Sequence, residues 1–102
     1  MSGAEHPHPE ELKSTFTSTI GGVLTDEVGA VTGDLELHTR PAGDGIEVEV
    51  RYEGARDQYT VSGSPVPTTD THPEAHRAIL HKLTTPGGTE RGNEIPVDLT
   101  SS

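Results

Sequence analysis

The chain contains no cysteine. That single absence excludes disulfides, thiolate zinc sites and cysteine nucleophiles together, and it agrees with a reducing, cytoplasmic location. There is no tryptophan, with one phenylalanine and two tyrosines, so no aromatic platform is on offer for stacking single-stranded nucleic acid. Apolar residues are scarce as well. They make up 28% of the 102 residues, against roughly 45–50% in an average globular domain, a figure that also counts glycine. No run approaches the ~18 apolar residues of a membrane span. The opening residues Met1 to Glu11 are acidic and rich in His and Pro, with no apolar stretch, so no signal peptide is read there. Motifs of catalysis are missing too: there is no G-x-S-x-G, no P-loop and no G-x-G-x-x-G. Ser62-Gly63-Ser64 has no fixed partner base. The expectation is a protein that is not an enzyme and needs no cofactor.

Positive charge is the other shortage. Seven Lys and Arg face seventeen Asp and Glu, for a net charge of −10. The surplus is concentrated in residues 1–57, which hold twelve acids against Lys13, Arg40, Arg51 and Arg56. Such a front half repels phosphate backbones and anionic lipid heads, so neither nucleic acid nor a membrane is expected as a partner. A basic protein surface would be attracted.

The apolar residues that exist lie mostly between Leu12 and Leu83. This distribution predicts a flexible lead over 1–8, one domain over 9–84 and a flexible tail over 85–102. Pro9 suits a first helical position, and Glu10 and Glu11 suit the positive end of a helix dipole. Leu12, Phe16, Ile20 and Val23 fall on one helical stripe. Together these predict a first helix ending near Gly21-Gly22, although Ser14 to Thr19 is a poor helix former and also fits a strand.

Beyond it the period changes to two. Leu35 and Leu37 alternate with Glu36, His38 and Arg40, and Ile46, Val48, Val50 and Tyr52 alternate with Glu47, Glu49, Arg51 and Glu53. Tyr59 and Val61 mark a third strand. Turns at 41–45 and 54–57 are short, which predicts an antiparallel three-stranded meander. A second helix is predicted from Thr71. Thr71-His72-Pro73-Glu74 matches a capping box, and Ala75, Ile79, Leu80 and Leu83 line one face. In the tail, Ile95, Val97 and Leu99 alternate and could add an edge strand over 95–99.

The expected fold is therefore α+β, in the order α-β-β-β-α, with two helices packed on one face of the meander. In topology alone this order is similar to that of double-stranded RNA-binding domains. Those domains set a lysine cluster at the start of the second helix. Here that place reads Asp70-Thr71-His72-Pro73-Glu74, of the opposite sign.

Three constellations bear on function. The wet face of the meander gathers Glu36, His38, Glu47, Glu49, Arg51 and Glu53, a candidate surface for docking a basic protein. Cross-strand pairing by Arg40 and Arg51 would neutralise part of it. The start of the second helix brings together Asp70, His72, Glu74 and His76, and two histidines four residues apart can aim at one zinc, nickel or copper ion. The helical wheel sets His76 inside the apolar stripe between Leu80 and Leu83, which favours packing instead. Finally, six histidines (His6, His8, His38, His72, His76 and His81) supply groups that titrate between about pH 5 and 8. The leading expectation is a small acidic protein-interaction module; a metal-binding accessory protein is the alternative.

Overall fold

In the computed structural model, which describes residues 11–100, strands dominate. The order is β1 (Leu12–Thr17), β2 (Val23–Thr25), β3 (Gly29–Val31), β4 (Asp34–Ala42), β5 (Gly45–Tyr52), β6 (Tyr59–Thr60), β7 (Val66–Pro67), α1 (His72–Leu83), β8 (Thr89–Glu90) and β9 (Asn93–Glu94). Strand accounts for 43% and helix for 13%. The expected pair of helices on a three-stranded meander is thus overturned: among the described residues there is a single helix, and the sheets have five, two and two strands.

The correction begins at residues 12–17. They form the strand β1, antiparallel to β4, with Leu12 opposite Thr39 and Phe16 opposite Leu35. A spacing of four residues between Leu12 and Phe16 satisfies a period of two as well as one of 3.6. The residues in between decide the matter. Thr15 and Thr17 are β-branched and lose side-chain freedom in a helix, whereas a pleated edge suits them. Ile20, the third member of the supposed stripe, is 89% exposed. The helix-start signal at Pro9 and Glu10, like the lead over 1–8, lies outside the described residues.

The main sheet runs β1-β4-β5-β6, with β7 pairing farther along the same outer edge of β5. β4 and β5 lie where the alternation puts them, and the register sets Glu36 opposite Arg51, His38 opposite Glu49 and Arg40 opposite Glu47. Gly45 is required where β5 meets β7, because a Cβ there would run into the Val66 carbonyl.

A hairpin the sequence did not announce, β2–β3, is clamped to residues 60–62. Glu27 accepts from the Thr60 amide and hydroxyl at 2.8 Å each, and Asp26 accepts from the Ser62 hydroxyl at 2.9 Å. Residues 95–99 also pack against this hairpin rather than at an edge of the main sheet. The Leu24 amide donates to the Val97 carbonyl, the Val97 amide to the Gly22 carbonyl, and the Leu99 amide to the Ser62 carbonyl.

The inward face of the sheet (Leu35, Leu37, Val48 and Val50, all fully buried) is covered by α1 through Ala75, Ile79 and Leu83. Val23, Val31, Val61 and Val97 complete the core. The helix begins as its sequence dictates: Thr71 is the N-cap and accepts from the Glu74 amide. No helix among the described residues is long and apolar enough to cross a membrane.

Candidate functional site

Two polar networks lie back to back on β4, one on each face of the sheet.

On the outer face, side chains at alternating positions of β4 and β5 form one surface. Arg40 reaches Glu47 at 2.9 Å and both Glu11 and Glu49 at 3.5 Å. The Arg51 Nε donates to Glu36 at 2.8 Å. His38 stands between Glu11 and Glu36, its ring nitrogens 3.2 and 3.1 Å from their carboxylates. It is 4% exposed, although its strand face is the open one; the long side chains around it provide the cover.

Arg40 holds its proton above the ordinary arginine value. Burial opposes the charge, and the neighbouring Glu49 and Glu47 outweigh it. Glu36 is held below the ordinary carboxylate value, chiefly by the Arg51 hydrogen bond and then by His38. Four carboxylates (Glu11, Glu36, Glu47 and Glu49) thus meet two guanidiniums. The network keeps a surplus of negative charge.

Of the residues predicted for this surface, Glu36, His38, Glu47, Glu49 and Arg51 are brought together. Glu53 is not among them: β5 ends at Tyr52, and Glu53 is exposed in the following turn, its amide donating to the Asp34 carbonyl at 3.0 Å. Glu11 joins the network although nothing in its sequence context, read as a helix start, pointed there.

On the inner face, the predicted metal cluster takes a different form. His72 Nε2 and His76 Nδ1 converge on one hydroxyl, Thr39 Oγ1, at 2.9 and 2.7 Å. His76 Nε2 lies 2.8 Å from Ser14 Oγ. Asp70 and Glu74 are exposed, and their backbone amides donate to the Thr68 and Thr71 hydroxyls. No group of three or more His, Cys, Asp or Glu among the described residues is placed to hold a metal ion.

The chain Ser14–His76–Thr39–His72 is consistent in two polarities with both rings neutral. In one, Ser14 donates to His76, His76 donates to Thr39 and Thr39 donates to His72. In the other every bond is reversed. Burial, then the charges of His72 and His38, hold the His76 imidazole below its ordinary value. Ser14 and His76 have the spacing of a nucleophile and its base. Acyl transfer also needs a cleft and oxyanion donors beside them. Two open clefts of about 650 and 720 Å³ flank the helix ends, and neither is lined by Ser14 or His76. The chain of four links α1 to β1 and β4.

Thr39 was legible as an inward residue, since it continues the Leu35–Leu37 alternation. Ser14 was not, because β1 read as helix. No protein-family model matches this chain, and neither a curated protein nor a solved structure matches it.

Proposed function

We propose that the protein is a non-enzymatic interaction module whose open sheet face docks a basic protein. One observation carries the reading. The outer face of β4 and β5 carries four partly exposed carboxylates, and they are paired with only two guanidiniums. The internal ion pairs contribute little stability each, about 0–1 kcal/mol at such exposure. Their value to binding is that the carboxylates are already paired, so a partner's Arg or Lys groups meet acceptors that lose little freedom on docking. Electrostatic docking of this kind speeds association and weakens as salt rises.

The test is a titration of the isotope-labelled protein with a synthetic Lys/Arg-rich peptide, followed by amide NMR. Shifts centred on Glu36, Glu47 and Glu49, reversed by added salt and abolished in the Glu47→Lys, Glu49→Lys double variant, are the expected result. Shifts spread evenly over all acidic segments, or unchanged in the double variant, would overturn the reading.

A further inference from the structure

Among the described residues, the strand β1 has a partner on one edge only. β4 pairs with it, and among the described residues no strand pairs with the other edge. Which backbone groups point outward follows from the ladder. The Ser18 amide donates to the Gly33 carbonyl at 2.9 Å on the continuation of the β1–β4 register. Antiparallel pairing alternates, so Phe16, Ser14 and Leu12 bond to β4. The amides and carbonyls of Lys13, Thr15 and Thr17 face away from the sheet. β1 contains no Pro, and its one charged residue is Lys13; both residue types commonly blunt an exposed edge, so a partner must give Lys13 a counter-charge.

We propose that β1 pairs with β1 of a second copy of this chain, antiparallel about a two-fold axis at Thr15, making one continuous sheet across the dimer. The symmetry is self-complementary. Thr15 meets Thr15 of the second copy, and Lys13 meets Thr17. All three pairs are of the hydrogen-bonded kind, so every outward group of the three residues finds a partner.

Side chains agree with this register. The Thr17 hydroxyl donates to Asp34 at 2.9 Å, so a carboxylate stands beside the position that Lys13 of the second copy takes. Lys13 makes no ion pair with any described residue. The two lysines lie at opposite ends of the paired strands, ~13 Å apart along them at the usual rise per residue, and do not oppose each other. On the inner face, the half-buried Phe16 comes opposite Ser14 and diagonal to Phe16 of the second copy, within reach of an aromatic contact. A partner presenting a different extended strand would lack the Lys13–Asp34 match. The inference does not rest on the docking reading of the outer face.

The experiment is the molar mass of the full chain by light scattering and sedimentation across a concentration series at physiological ionic strength, where repulsion between two chains of net charge −10 is screened. The expected mass approaches twice the 10.8 kDa of one chain. Thr15→Pro deletes an amide that β4 does not use, so it should give a monomer with an unchanged circular dichroism spectrum. A wild-type chain that stays monomeric, a larger open-ended assembly, or a dimer that Thr15→Pro leaves intact would each overturn the proposal. Should Thr15→Pro fail to fold, the charge pair decides. Lys13→Glu must weaken the dimer and Lys13→Glu with Asp34→Lys must restore it; absence of either effect refutes the pairing.

Discussion

At the scale of single residues, the decisive position is Thr39. It is fully buried, and its hydroxyl is shared by His72 and His76. Thr39→Val keeps the shape and leaves one nitrogen on each ring unpaired, which should cost roughly 1–3 kcal/mol. Denaturant unfolding measures it, and Thr39→Ser should retain most of the stability.

His76 carries a pH dependence whose sign follows from its burial. Its folded-state value lies below the ordinary 6.5, so the unfolded chain takes up a proton more readily than the folded one. Stability is then complete above about pH 6.5 and is lost as pH falls below it toward the depressed folded value. The melting temperature should decline between about pH 7 and 5, and decline less in His76→Gln. Glu36 and Glu27, both held below 4.5, act in a lower window: their stabilisation is present above that value and disappears as they protonate beneath it. The two windows are separable in one titration. His76 faces Ser14 from β1 and Thr39 from β4, with His72 beside it on α1; His38, on the far side of β4, is the remaining charge that bears on it.

At the scale of elements, legibility depended on whether one period fitted the residues. β4 and β5 alternate over eight or nine residues with charges on one side, and no helix can present that pattern. The capped helix was equally plain, because Thr71, Pro73 and Glu74 form a start signal independent of packing. β1 failed because its two apolar anchors are four residues apart, a spacing common to both periods. Its threonines, poor helix formers that suit a pleated edge, outweigh a helix-start signal that is purely local. The hairpin β2–β3 has three-residue strands, too short for any periodicity. It is held by Asp26 and Glu27 reaching to Ser62 and Thr60, contacts far apart in sequence. The outer site was legible for the same reason as β4 and β5, since alternation alone gathers its residues. The inner network joins β1, β4 and α1, three elements distant in sequence, so no local pattern announces it.

At the scale of the whole molecule, the net charge of −10 is only partly local. Several acids are spent on the fold itself, among them Asp26 and Glu27 in the hairpin clamp and Glu94, which accepts from the Gly21 amide at 2.9 Å. The core draws on distant parts of the chain. Val97 packs with Val23 and Leu83 among the buried residues, and its backbone bonds to Gly22 and Leu24. Val97→Asp buries an unpaired carboxylate and should destabilise the protein by several kcal/mol. Loss of the cooperative thermal transition is the expected readout, and a normal melting curve would show that 95–99 is dispensable.

The reach from Val97 back to Gly22 also orders events during synthesis. A nascent chain can pair β4 with β5 while still being made, since those contacts are near in sequence. The hairpin at Val23, however, has no complete set of neighbours until Val97 has left the ribosome. Until then Val23 waits, without the neighbour that its bridge to Val97 provides, for a stretch of chain that has not yet been assembled.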